Sequence, residues 1–270
     1  MLLKIIVPIK YVPDIGRVKF DTERGRIDRT SAPGEINPFD LNALEEAVQI
    51  RGKISGTIIT ITMGPPQAKA GLRDALSRGA DEAFLLVDRL FTGADTLATS
   101  YTLASAIRKL GKFDLIICGE KTVDGDTGQV GPMIAEQLGI PHVAYVSKVE
   151  EIGEKKITVV CDMEGDRYSI ESDFPMLITV TKDINTPRLP TFTNKLEARK
   201  AKIEIWTAAE LSSIAGQARF GSKGSPTAVR KIVVPREDAR MRKIFRSATD
   251  EMVGQIIGAL EEEQILEAMK

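Results

Sequence analysis

Reactive side chains are scarce in this chain: among 270 residues there are two cysteines, Cys118 and Cys161, and one histidine, His142. Two cysteines so far apart cannot assemble an iron–sulfur cluster or a zinc site within the chain, so any cluster belongs to a partner. Cys118 ends an apolar run and reads as a small buried hydrophobe. His142 follows Pro141 at the entry to another apolar run and reads as structural. A lone histidine leaves no material for a Ser-His-Asp or Cys-His pair, so hydrolytic catalysis is disfavoured and no catalytic residue of that kind is expected. Long apolar runs are also missing, which argues against an integral membrane protein. Neither sign of charge is in excess: 37 basic and 38 acidic side chains leave a net charge of −1 and no general drive toward nucleic acid. Met1-Leu-Leu-Lys-Ile-Ile-Val passes directly into a strand pattern, without a signal or transit segment, so a cytoplasmic protein is expected.

What the chain does have is regular alternation. Residues 1 to about 145 alternate strand and helix patterns, the signature of a doubly wound, mostly parallel α/β sheet. Strands are expected at Leu3 to Val7, Thr57 to Thr62, Ala83 to Val87 and Leu115 to Cys118. The first helix begins at Asn37, an apt N-cap, with Pro38 at its first position, Asp40 near the positive end of its dipole, and Leu41, Leu44, Ala47 and Val48 on one face. Met63-Gly64-Pro65-Pro66 turns into a helix with Leu72, Ala75 and Leu76, and a third helix carries Leu97, Tyr101, Ala104 and Ile107. After Pro141 short strands at Val143 to Val149, Lys156 to Asp162 and Met176 to Thr181 suggest an antiparallel extension. Asp183 to Lys202 keeps no period and reads as a surface arm, and Phe220 to Pro235 also lacks a core pattern. Ala248 to Met269 returns to an amphipathic helix with Val253, Ile256, Ile257 and Leu260 on one face, which needs either its own domain or another subunit to bury against.

The densest chemistry follows the fourth strand. Asp124-Gly-Asp-Thr-Gly-Gln-Val-Gly131-Pro132 lies at the carboxyl edge of the expected sheet, where open α/β folds bind ligands. Gly125, Gly128 and Gly131 let backbone N–H groups converge on an anion, and Thr127 adds a hydroxyl at the mouth of the next helix. Carboxylates repel phosphate, so Asp124 and Asp126 are expected to hold ribose hydroxyls, cap the helix or brace the turn. A stiff Asp/Gly turn without a ligand is the plain alternative. Pro8, Ile9 and Lys10 end the first strand close to this loop; Met63 and Gly64 end the second; and Asp95, Thr96 and Thr99 start a helix on the same cleft. By themselves these are ordinary turns and caps.

Several motifs in one order resemble the β subunit of electron transfer flavoproteins. They are Val7-Pro-Ile-Lys-Tyr-Val-Pro-Asp14, Asn37-Pro-Phe-Asp40 with Ala43-Leu-Glu-Glu-Ala47, Thr62-Met-Gly-Pro-Pro-Gln-Ala68, Gly79-Ala-Asp-Glu-Ala83, Gly93-Ala-Asp-Thr-Leu-Ala-Thr-Ser100 and the loop itself. The resemblance covers most of residues 1 to 200. It implies an adenine nucleotide α-hydrolase-like fold whose pocket is lined by Pro8, Ile9, Lys10, Asn37, Asp40, Thr62, Met63, Gly64, Asp95, Thr96, Thr99, Val123, Asp124, Gly125, Asp126, Thr127, Gly128, Gln129, Val130 and Gly131. The pocket of such subunits holds FAD or, alternatively, AMP. Several of these motifs, with Gly224-Ser-Pro-Thr227, look closer to the bifurcating branch, in which NADH supplies hydride to an FAD in this subunit. The implied partners are a flavin-bearing α subunit, an acyl-CoA dehydrogenase or quinone oxidoreductase docked on the arm through Phe192, and ferredoxin or another low-potential acceptor. Members often have leucine where Phe192 stands. The corresponding division is 1–182 for the nucleotide-binding domain, 183–205 for the recognition arm and 206–270 for an extension packing on the α subunit.

Two other nucleotide modules fit less well. A universal-stress-type ATP-binding pattern begins at Gly128 and Gly131 but meets Pro141 where glycine is required, and the Ser-Gly-Gly-x-Asp-Ser pattern of ATP pyrophosphatases is absent after the first strand.

Overall fold

The computed structural model describes residues 2–14, 19–21, 26–28, 34–228, 244–246 and 249–262. The chain divides into two compact units, Met1–Ile232 and Val233–Lys270. In the first, β1 (Leu3–Pro8) is followed by short strands β2 (Tyr11–Pro13), β3 (Lys19–Asp21), β4 (Arg26–Asp28) and β5 (Gly34–Ile36). Then come α1 (Pro38–Lys53), β6 (Gly56–Met63), α2 (Lys69–Arg78), β7 (Glu82–Leu86), α3 (Thr96–Leu110), β8 (Leu115–Gly119) and α4 (Val130–Leu138). The chain continues through β9 (His142–Ile152), β10 (Lys156–Met163), β11 (Asp166–Asp173), β12 (Met176–Val180), α5 (Phe192–Lys200), β13 (Glu204–Trp206) and the single-turn α6 (Ala208–Leu211). The described part of the second unit includes α7 (Thr249–Glu262).

Among the described residues, nine strands form one sheet in the order β11-β10-β9-β12-β8-β1-β6-β7-β13. Pairing is parallel from β9 through β13 and antiparallel only where β10 meets β9 and β11. Buried residues of α1 and α2 share one core cluster, with Ile5, Ile58, Leu85 and Ile117 from the strands. Residues of α3, α4 and α6 share the cluster on the other face, with Ile6, Ile59, Leu86 and Ile116. Alternate residues of each central strand thus feed opposite layers, which is why these strands read as continuous apolar runs. Gly131 also has a packing role: a Cβ there would lie 2.7 Å from Thr179 Cγ2, so glycine lets α4 close on β12.

Several expectations change. Met176 to Thr181 is not part of an antiparallel extension, because β12 inserts in parallel between β8 and β9 with all five residues buried. β9 is likewise parallel to β12, and the antiparallel part consists of β10 and an edge strand, β11, that the polar run Asp166–Asp173 had concealed. The arm is not structureless: it carries α5, capped by the Thr191 hydroxyl accepting the Asn194 N–H at 3.1 Å. Asn37 stands at the N-cap of α1 as expected but makes no side-chain cap bond there. Phe220 is 1% exposed, packed edge-on to Phe91 at 5.1 Å and tilted on Tyr101 at 5.8 Å. It carries no periodic neighbours, so only the assembled fold shows it as core. Residues 229–243 and 263–270, parts of the expected loop and tail helix, lie outside the described residues.

Phe220→Ala should remove this aromatic contact and leave a cavity, costing about 3–5 kcal/mol in urea denaturation.

Candidate functional site

The site grows from the sheet order. β1 lies between β6 and β8, so consecutive crossovers leave β1 toward opposite sides and a crevice opens at the carboxyl ends of β1 and β8. Lys10, just past β1, spans it: its ammonium reaches Asp124 Oδ1 at 2.6 Å. Asn37 grips the same loop, donating to the Lys121 carbonyl at 2.9 Å and accepting the Val123 N–H at 3.1 Å. A second ion pair, Lys121 to Asp126 at 2.9 Å, holds the loop's outer side. The two aspartates therefore brace the turn by pairing with lysines. Neither caps α4, whose N-cap position is Gln129 with no side-chain cap bond.

Among the described residues, the first N–H groups of α4 receive no cap from the Gln129 side chain, at the positive end of the helix. Gly128 has φ +62°, a backbone state natural to glycine, while Asp126 takes φ +50°. Gly125 has space beside it: a Cβ would meet nothing nearer than Thr122 Oγ1 at 3.5 Å. Packing does not require glycine there. The uncapped helix start and the half-exposed Lys10 ammonium, shared with Asp124, form a donor set suited to phosphate, with room for close approach at Gly125. Thr127 is exposed beside them.

Across the crevice, the Thr96 hydroxyl donates to Gln129 Oε1 at 2.9 Å, linking α3 to the loop. Asp95 is engaged elsewhere: Oδ1 accepts the Ala98 N–H as the α3 cap, and Oδ2 accepts the N–H and hydroxyl of Thr227 at 3.1 and 2.9 Å. Thr99 follows one turn into α3, half-buried. Pro8 and Ile9 are buried at the floor, with the Ile9 N–H on the Ile61 carbonyl at 2.9 Å. Gly64 lies against Ala68, where a Cβ would come to 3.2 Å. Thr62 Oγ1 is buried without a partner among the described residues. Thr60, two residues earlier on the same face, shares this state, so the pair belongs to the strand interior as much as to the crevice.

Residues 25–211 match the model of the electron transfer flavoprotein domain. The electron transfer flavoprotein subunit beta of Thermoanaerobacterium thermosaccharolyticum is 43% identical over 265 residues, covering 98% of this chain and 100% of that one. This chain belongs to the electron transfer flavoprotein β-subunit family. The caffeyl-CoA reductase-Etf complex subunit CarD of Acetobacterium woodii is 40% identical over 98% of this chain and 100% of its own length. Protein FixA of Bradyrhizobium diazoefficiens is 41% identical over 90% of this chain and 86% of its own length.

In this family member, Asp40 is the most perturbed carboxyl at the crevice. Burial raises its pKa from 3.8 to about 7, against the N–H of Lys10, the Asn37 amide and the N–H of Gly119, which favour the anion. Cys118 beside it is 6% exposed, and burial, with the Asp40 charge adding, pushes its thiol far above the usual range, so it is an inert hydrophobe. The arm stands away from these contacts. Arg188 grips Glu45 of α1 with two nitrogens at 2.7 and 2.9 Å, and Asn185 bonds Asn42 and Glu46. Arg73 of α2 donates to the Ala198 and Arg199 carbonyls at 2.7 Å each, closing the end of α5. These anchors explain the buried polar residues of α1, which an amphipathic reading of the helix did not anticipate. They leave Leu189 and Phe192 86% and 77% exposed. No described helix is long and apolar enough to cross a membrane.

Two measurements follow from this geometry. Folding raises the Asp40 pKa, so this carboxyl adds stability below its unfolded value, and the contribution is lost as pH rises through the folded value. The stability of wild type relative to Asp40→Asn should therefore fall between about pH 4 and pH 7 and level off above, in urea melts across that range. A flat difference would contradict the raised pKa. Arg188→Met leaves the buried Glu45 unpaired; because the guanidinium is half exposed, a loss on the order of 1–3 kcal/mol is expected in the same assay, with faster proteolysis of the arm.

Proposed function

We propose that this chain is the β subunit of a heterodimeric electron transfer flavoprotein, holding FAD at the β1/β8 crevice and taking hydride from NADH for electron bifurcation. The observation that carries the nucleotide reading is the loop from Lys121 to Gln129, braced by Lys10 and Asn37 and ending at the uncapped start of α4. A pyrophosphate there would meet the Lys10 ammonium and the first N–H groups of α4, with Gly125 allowing close approach. Bound FAD would supply the one- and two-electron chemistry. The chain's own part is to bind, orient and tune, and none of its side chains is assigned a catalytic proton transfer.

The α subunit is the proposed partner of α7, whose Val253, Ile256 and Ile257 are 49%, 39% and 45% exposed. The arm, with Phe192 at the start of α5, is assigned to an acyl-CoA dehydrogenase or quinone oxidoreductase. The name of the CarD relative, a subunit of a caffeyl-CoA reductase complex, supports a partner acting on CoA esters. Ferredoxin or another low-potential acceptor would take the second electron. The cytoplasm is the proposed compartment, and 1–182, 183–205 and 206–270 are the proposed functional divisions.

Nucleotide released by denaturation from the chain purified with its α subunit should amount to two FAD per heterodimer. One FAD and one AMP would instead make it a simple shuttle, and ATP without flavin would overturn the assignment. Gly125→Val, whose Cβ would make only ordinary contacts with Thr122 Oγ1 at 3.5 Å and Lys10 Nζ at 3.9 Å, should lose the β-site nucleotide and keep the α flavin.

A further inference from the structure

Asp40 sits in the first turn of α1, where the helix dipole alone would favour an exposed carboxylate, yet it is 5% exposed and joins three elements. Its Oδ2 accepts the Lys10 N–H at 2.7 Å beyond β1. The Gly119 N–H at the end of β8 and the Asn37 amide lie close enough to favour its charged form. Gly119 has no room for a side chain, since a Cβ would lie 2.6 Å from Asp40 Oδ1. Two arms leave this junction. Lys10 carries its ammonium to Asp124, and Asn37, whose own N–H donates to the Lys10 carbonyl at 2.9 Å, carries its amide to Lys121 and Val123. Buried strand-end N–H groups need acceptors. An ionised carboxylate accepts on both oxygens, which no amide can do.

We propose that Asp40 is a positioning residue for the loop of residues 120–129: it fixes the backbone of Lys10 and Asn37, and their side chains set where the Val123 to Gly125 backbone stands. It thereby controls nucleotide affinity without contacting the nucleotide. The affinity part rests on the function proposed above, whereas the positioning part stands on the contacts alone. Asp40→Asn is the discriminating change, because a nearly isosteric amide must turn an NH2 toward one of the N–H donors.

The test measures amide hydrogen exchange and amide resonances in the full chain without nucleotide, and titrates FAD, with AMP in parallel, into the nucleotide-stripped complex with the α subunit. Asp40→Asn should raise exchange at Val123 and the following loop amides at least tenfold relative to α3, and move the Lys10 amide proton upfield. It should also weaken FAD or AMP binding at least tenfold. Asn37→Ala and Lys10→Met, which cut one arm each, should free the same amides, with effects that are not additive with Asp40→Asn. Unchanged loop exchange in a folded Asp40→Asn overturns the proposal, as does a uniform rise across the whole sheet. Should Asp40→Asn fail to fold, unchanged loop exchange in both arm variants overturns it. Wild type that binds neither FAD nor AMP, with a loop still freed by Asp40→Asn, leaves the positioning role standing and removes the nucleotide reading.

Discussion

Parallel pairing of β1 with β6 on one side and β8 on the other is the constraint from which the candidate site follows. Parallel neighbours cannot be joined by tight turns, so each pairing forces a crossover helix, and the change of direction at β1 sends those helices to opposite faces. The Lys10 N–H just past β1 and the end of β8 at Gly119 both come up against the start of α1. α1 places Asp40 there, and the buried carboxylate supplies an acceptor for the Lys10 N–H. Its burial has a cost, visible in the raised pKa. That cost is offset by closing the end of the sheet and by holding the two side chains that brace the loop.

Electrostatics then divides the crevice. Two lysines are spent on two loop aspartates, Lys10 on Asp124 and Lys121 on Asp126, so the loop is braced without accumulating net charge. On the proposed nucleotide reading, the attraction for an anion would come mainly from backbone donors at the start of α4, whose dipole is fixed by the fold and screened less than an exposed side chain. Asp95 shows the opposite assignment: a carboxylate that faces the crevice in sequence order is consumed by the α3 cap and by Thr227.

Much of the fold was legible because its signals are local. Apolar runs of strand length, helical stripes such as Leu44, Ala47 and Val48, and glycines at helix ends such as Gly79 and Gly139 each depend on a few neighbouring residues. The loop from Asp124 to Gly131 was legible for the same reason. Less visible were β11, whose exposed edge position suits a polar sequence, and the parallel insertion of β12, which depends on a partner far along the chain. Phe220 and the arm's anchors to Glu45 and Asn42 were hidden because no periodic pattern announces a contact formed once.

Residue order alone therefore settled the alternating βα units, the strand ends and the glycine-rich loop, since backbone sterics, turn chemistry and hydrophobic period act over one or two turns of chain. Tertiary structure decided which strands became neighbours, that Asn37 and Asp40, placed at the start of α1 as expected, also turn their side chains to the loop and to the end of β1, and that Gly131 lets α4 pack on β12. These outcomes turn on which buried donors and surfaces meet across long chain separations. The free energy of such meetings belongs to the assembled pair, and neither residue carries it in its own stretch of sequence.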